Sequence, residues 1–321
     1  MNPFNQVPLS TLDWQALPDS SCLLGEAPFW HPLEMMLYWV DIPGKQICRA
    51  NIFMGQVERW NMPQEPACIA PMQGGGLIIG MRDGIYCASE WRAPLSLLMY
   101  GPFDATKERF NDGKCDALGR FWTSTIYEPK DKAMAALYCY TERGDLAGLT
   151  DHLRNITTGN GLAWSPDNTK AYFADTPSHQ VKVYDYDLEH GIFENPQVFC
   201  TMPQKPKDWK IDASHPEQSL ATYAGRPDGA CVDQNGNYWT ALFEGQRIAQ
   251  FSAQGQLLAQ YKTPAARTTM MCFGGDDLQT LYITTASAGR TQDEQTLHPQ
   301  AGHVFFARVS EVGLPVQFYQ P

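Results

Sequence analysis

Short apolar runs recur along this chain, each followed by a turn rich in Asp, Pro or Gly and then by a second run carrying aromatic residues. Six segments share that layout. They run from Ala27-Pro28-Phe29-Trp30 to Leu37-Tyr38-Trp39-Val40, and from Cys68-Ile69-Ala70 to Gly76-Leu77-Ile78-Ile79. Next come Gly113-Lys114-Cys115-Asp116 to Arg120-Phe121-Trp122-Thr123, and Asn160-Gly161-Leu162-Ala163-Trp164 to Ala171-Tyr172-Phe173-Ala174. The last two run from Gly229-Ala230-Cys231-Val232-Asp233 to Asn237-Tyr238-Trp239-Thr240, and from Met271-Cys272-Phe273-Gly274 to Leu281-Tyr282-Ile283-Thr284. Each reads as strand, turn, strand.

Taking Tyr38, Leu77, Phe121, Tyr172, Tyr238 and Tyr282 as equivalent, the spacings are 39, 44, 51, 66 and 44 residues. Four-stranded propeller blades repeat about every 40–50 residues, so six copies predict an all-β, six-bladed propeller around a central channel. Residues 1–321 would then form a single domain. The long interval holds a polar, Pro-bearing stretch at about 203–224, read as a loop inserted into the fourth unit. Val181–Tyr186 alternates with period two, and Ala136–Tyr140 and Arg247–Phe251 are similar, so these are candidate outer strands. A strand within Gly302–Val309 is expected to close the ring with the N-terminal region. No helical periodicity extends beyond about three turns.

Composition agrees with this picture. Nine Trp, 14 Tyr and 15 Phe, with 26 Gly and 23 Pro, suit many short strands and tight turns. The net charge of -11 argues against nonspecific binding to nucleic acid or to an acidic membrane surface. No apolar run approaches the roughly 18 residues needed to cross a bilayer, and the first residues lack a secretory pattern. Nine scattered cysteines without a C-x-x-C pair read as buried thiols, and the expected location is the cytoplasm.

Residues just before the innermost strands of a propeller converge at one mouth of its channel. Twelve positions upstream of the six equivalent residues lie Glu26, Glu65, Arg109, Asn160, Arg226 and Met270; ten upstream, the set includes Asn111 and Asp228. Glu26, Asn160 and Asp228 are hard oxygen donors from three separate blades. An oxygen-only set favours Ca²⁺, Mg²⁺ or Mn²⁺ over Zn²⁺. The bland alternative is that Asn160 and Asp228, each beside a Gly, are turn formers, and that Glu26 and Arg109 are rim charges.

Gly25-Glu26-Ala27-Pro28-Phe29-Trp30, Arg109-Phe110-Asn111-Asp112-Gly113-Lys114-Cys115-Asp116 and Asn160 to Asp167 together resemble the SMP-30/gluconolactonase/LRE family. Pro227-Asp228-Gly229-Ala230-Cys231-Val232-Asp233 and Cys272-Phe273-Gly274-Gly275 extend the likeness over nearly the whole chain. The resemblance implies a six-bladed propeller with one divalent metal held by Glu26, Asn160 and Asp228. It implies Ca²⁺ first, with Mg²⁺, Mn²⁺, Zn²⁺ or Fe²⁺ as alternatives. Arg109 and Asn111 match residues that contact a sugar substrate, and Glu128, followed here by Pro129, is the counterpart of a third such residue. Asp228 would also take the proton from the attacking water. The implied activity is hydrolysis of an aldonolactone to the aldonic acid, with a small sugar lactone as the only implied partner. A metal-dependent esterase or phosphotriesterase, or a metal-binding propeller without catalysis, are the alternatives. The stretch around residues 203–224 is unlike compact members of the family and is expected to shape the pocket's entrance.

Other signals carry less. Gly74-Gly75-Gly76 lacks the Lys-Ser/Thr of a phosphate loop and reads as a turn. No G-x-S-x-G elbow is present. His31, between Trp30 and Pro32, reads as a packed rim residue, and Trp122, Trp164 and Trp239 as core aromatics.

Overall fold

Each of the six apolar–turn–aromatic segments forms an antiparallel hairpin, and each hairpin is the inner half of a four-stranded blade. The structure, a computed structural model, describes residues 3–144 and 147–321. The innermost strands are Gly25–His31, Pro66–Pro71, Glu108–Cys115, Gly159–Trp164, Arg226–Val232 and Thr268–Gly274. They define blades one to six of a β-propeller.

The candidate outer strands are present as Gln180–Asp187, Ala135–Thr141 and Arg247–Phe251. Ring closure is shared between the ends of the chain. Phe305–Arg308 is the third strand of blade six, and Gln15–Ala16 pairs with it as the fourth. Sealing the ring this way leaves blade six without a free seam. One element was not foreseen: Leu9–Thr11 adds a fifth, parallel strand to blade five, beside Leu257–Lys262.

The stretch read as an unpatterned loop is partly ordered. Between Thr201 and Arg226 it carries a short helix, Pro216–Thr222, whose Leu220 is buried. Proline in the first turn costs that helix no hydrogen bond, and the Leu220 carbonyl accepts from Arg247 Nη2 at 2.7 Å. So few residues give too little periodicity to be read from sequence. A second helix, Gln292–Leu297, is closed at its start by a Thr291/Glu294 capping box.

Adjacent blades pack face to face through apolar side chains. Trp39, Trp122 and Trp239, on the second strands of blades one, three and five, have no exposed surface. Two share one device. Asp116 accepts from the amides of Leu118 and Arg120 and from Trp122 Nε1 at 2.8 Å. Asp233 accepts from the amides of Asn235 and Asn237 and from Trp239 Nε1 at 3.0 Å. A buried carboxylate thus closes the turn and anchors the indole six residues on, satisfying polar groups the core would otherwise strand. Gly74, Gly75 and Gly76 all take positive φ, as a turn between strands requires. All nine cysteines are free.

Candidate active site

The innermost strands of blades one, three, four and five each carry a bulge in which three residues advance against two of their neighbour. Pairing passes from Glu26–Val40 to Phe29–Tyr38 in blade one, and from Phe110–Thr125 to Gly113–Thr123 in blade three. It passes from Asn160–Ala174 to Ala163–Tyr172 in blade four, and from Pro227–Leu242 to Ala230–Thr240 in blade five. A bulge turns side chains out of the regular alternation. Glu26 and Asn160 immediately precede their bulges, and Asn111 and Asp228 lie within theirs. The common address seen in the sequence is therefore a common bulge. Gly161, the first bulge residue of blade four, has a φ of 66°, and a Cβ there would fall 2.5 Å from Tyr238 Oη.

A chain of hydrogen bonds joins three of the predicted residues, Arg109, Asn111 and Asn160, and includes neither the Glu26 nor the Asp228 side chain. Arg109 Nη1 donates to Asn111 Oδ1 at 3.1 Å, and Asn111 Nδ2 donates to Asn160 Oδ1 at 3.1 Å and to the Gly159 carbonyl at 2.9 Å. Asn160 Nδ2 donates to Thr176 Oγ1 at 2.8 Å, and that hydroxyl donates to the Pro227 carbonyl, also at 2.8 Å. Since the Thr176 proton is committed to a carbonyl, its oxygen accepts, which fixes the orientation of the Asn160 amide. Arg109 and Asn160 are buried, and Asn111 is partly so. The network spans blades three, four and five.

The carboxylates are electrostatically unfavourable without a cation. Burial, then the neighbouring Asp112, pushes Asp228 up to about 8. Burial, then Asp228 and Asp112, holds Glu26 well above the usual carboxylate range. Glu26 is half-buried, yet its surroundings desolvate its charge. Asp112 was not singled out as a site residue in the sequence, although it lies in the bulge beside Asn111. It is 5 % exposed; its Oδ2 accepts from the Leu162 amide at 3.2 Å, while Oδ1 has no hydrogen-bond partner. Two acids and an amide oxygen from three blades, with a third acid acting on both, form a donor set that fits a hard divalent cation. Among the described residues no three His, Cys, Asp or Glu side chains close into a metal-holding group.

Glu128 belongs to a charged layer at the rim. Arg82 reaches its two oxygens at 3.0 and 3.1 Å, and Arg109 Nε donates to Oε1 at 3.3 Å. Glu128 thus orients Arg109 from outside. Lys114 Nζ crosses from blade three to donate to the Ala230 carbonyl at 2.7 Å; burial raises the Asp112 pKa, and the Lys114 charge offsets only part of that rise. Beyond Lys114, at the far ends of the innermost strands, lies a more apolar cavity lined by Phe29, Trp164, Cys231, Phe273 and the C-terminal residues 314–317. None of the predicted site residues lines it. His31 is buried, accepts from the Glu34 amide at 3.2 Å and packs edge-on against Phe318, as expected of a rim residue.

The model of the SMP-30/gluconolactonase/LRE-like family matches residues 24–287. The chain belongs to that family. It is 35% identical over 296 residues to 6-deoxy-6-sulfogluconolactonase from Pseudomonas putida, covering 91% of this chain and 93% of the relative. It is 30% identical over 307 residues to human regucalcin, covering 92% and 94%. Among solved structures, the calcium-binding protein regucalcin from Agrobacterium tumefaciens aligns with a TM-score of 0.86 at 22% identity, covering 98% of this chain and 99% of that one. That likeness supports the propeller fold. The motif-based assignment to this family holds.

Proposed function

We propose that the chain is a metal-dependent sugar lactonase that opens an aldonolactone, gluconolactone-like, to the aldonic acid. The observation that supports this reading most is the hydrogen-bonded run Arg109–Asn111–Asn160, alongside the desolvated acids Glu26 and Asp228 whose charges act on each other. Lactonase relatives that align along nearly the whole chain support it.

Glu26, Asn160 and Asp228 would hold one divalent ion, with Ca²⁺ the first candidate. When bound, such an ion polarises the lactone carbonyl and stabilises the developing oxyanion. Thr176 keeps the Asn160 amide in one orientation, so its oxygen stays on the Asn111 side. Arg109, held by Glu128 and the Phe110 carbonyl, and Asn111 would position the ring through its hydroxyl and carbonyl oxygens. Asp228 would accept the proton of the attacking water at a carboxylate oxygen and pass it to the departing ring oxygen.

The test is acid release from a panel of aldonolactones. The protein is stripped of metal and then reloaded singly with Ca²⁺, Mg²⁺, Mn²⁺, Zn²⁺ or, anaerobically, Fe²⁺. Metal-dependent opening of one lactone supports the reading. Rates equal to spontaneous hydrolysis with every pair would overturn it.

A further inference from the structure

Each of the three residues proposed to hold the metal follows a carbonyl that is gripped by a hydroxyl from the preceding blade. Thr269 Oγ1, on the innermost strand of blade six, donates to the Gly25 carbonyl of blade one at 2.5 Å. Ser124 Oγ, on the second strand of blade three, donates to the Gly159 carbonyl of blade four at 2.8 Å. Thr176 Oγ1, after the second strand of blade four, donates to the Pro227 carbonyl of blade five, again at 2.8 Å. Gly25, Gly159 and Pro227 directly precede Glu26, Asn160 and Asp228. Among the described residues no side chain donates to the carbonyl before Glu65, Arg109 or Met270, the counterparts in the other three blades.

A carbonyl and the amide nitrogen after it lie in one rigid plane. A hydrogen bond to the carbonyl therefore fixes the plane from which the next residue's Cα and side chain depart. The need is local, because the ladder within each blade is interrupted at the bulge that Glu26 and Asn160 precede and Asp228 enters. Ser124 and Thr269 are fully buried, so water does not compete for these bonds. Glycine permits the approach: a Cβ on Gly159 would fall 2.4 Å from Ser124 Cβ, and one on Gly25 would fall 3.2 Å from the Thr285 carbonyl oxygen. The Ser124 bond also reaches the substrate side of the site. The Gly159 carbonyl accepts from Asn111 Nδ2 at 2.9 Å as well, and Ser124 Oγ lies 3.0 Å from the Asp112 carbonyl. Thr269, its proton committed to Gly25, accepts from Thr284 Oγ1 at 2.8 Å.

We propose that Ser124 and Thr269 are positioning residues of the metal site, setting Asn160 and Glu26 from the preceding blade as Thr176 sets the residue before Asp228. The three oxygen donors then meet only when the junctions six–one, three–four and four–five are closed in register. This rests on the reading of Glu26, Asn160 and Asp228 as ligands of one divalent ion. Neither hydroxyl is itself a ligand.

The test is a calorimetric titration of metal-stripped protein with Ca²⁺, Mg²⁺ and Mn²⁺ singly, beside its melting temperature without metal. Thr269→Val and Ser124→Ala remove the hydroxyls and are expected to weaken binding about 10–100-fold, the range typical of residues that orient metal ligands. Thr269→Ser should restore most of the loss. Thr263→Val is the control: its buried hydroxyl donates to the Ala265 carbonyl at 3.0 Å, away from the three carbonyls. It should lower the melting temperature and leave metal affinity unchanged. Ser124→Ala, which leaves the ring-closing junction untouched, decides if Thr269→Val does not fold. Variants that melt early yet bind metal as tightly as wild type would overturn the positioning role and leave the metal reading standing. A wild-type protein that takes up none of the three ions would overturn the metal reading and this proposal with it.

Discussion

Thr176 fixes the orientation of Asn160: its Oγ1 accepts from the Asn160 amide at 2.8 Å while donating to the Pro227 carbonyl. A residue after the second strand of blade four thus sets which end of an innermost-strand side chain points to which neighbour. It also ties blade four to blade five one residue before Asp228. Partners that orient a ligand side chain typically matter about 10–100-fold for metal affinity or activity. Thr176→Val keeps the shape and removes the acceptor. It is expected to lower divalent-metal affinity by about that range while leaving the far-UV spectrum unchanged, as a calorimetric titration would show.

The acid cluster gives the metal-free protein a distinct pH dependence. Burial and Asp112 push Asp228 up to about 8, and burial with Asp228 raises Glu26 as well. A carboxylate whose folded pKa lies above its unfolded value makes the folded state the stronger proton binder between the two values. Its stability contribution is complete below about pH 4, the ordinary range of an unfolded carboxylate. It is lost as pH rises through the folded pKa. The melting temperature in chelator should therefore fall between about pH 4 and pH 8 relative to the metal-loaded protein. Parallel profiles with and without metal would contradict the cluster.

A structural prediction concerns Asp116. It is 1 % exposed, pairs with Arg120 Nε at 2.7 Å, and accepts from Trp122 Nε1 and from the Tyr186 hydroxyl at 2.9 Å. Removing one partner of a buried ion pair typically costs about 3–5 kcal/mol, because the other charge is left uncompensated. Asp116→Ala should show a loss of that order in denaturant unfolding, with the metal site's affinity little changed in the protein that remains folded.

The blade repeat was legible because a strand and turn grammar repeats wherever two faces of a sheet are buried. The Tyr172 and Tyr238 hairpins fell at equivalent places for that reason. Glu26 and Asn160 shared one offset from those hairpins, whereas Asn111 and Asp228 shared another. The difference is their place before or within the bulge, which no local composition announces. Asp112 was passed over because its role comes from burial and from Glu26 and Asp228 across the channel, both long-range facts. Pro216–Thr222 was missed because so short a helix is held by contacts such as that between Leu220 and Arg247, not by its own pattern.

The central claim, that the ion needed for turnover is held by this three-blade set, is tested most directly by Asp228→Ala. Metal content after dialysis and lactone turnover are measured on the same samples, beside wild type. The expected result is about one divalent ion per wild-type chain with metal-dependent turnover, and loss of both in the variant. An Asp228→Ala protein that still opens the lactone at the wild-type rate would contradict the account.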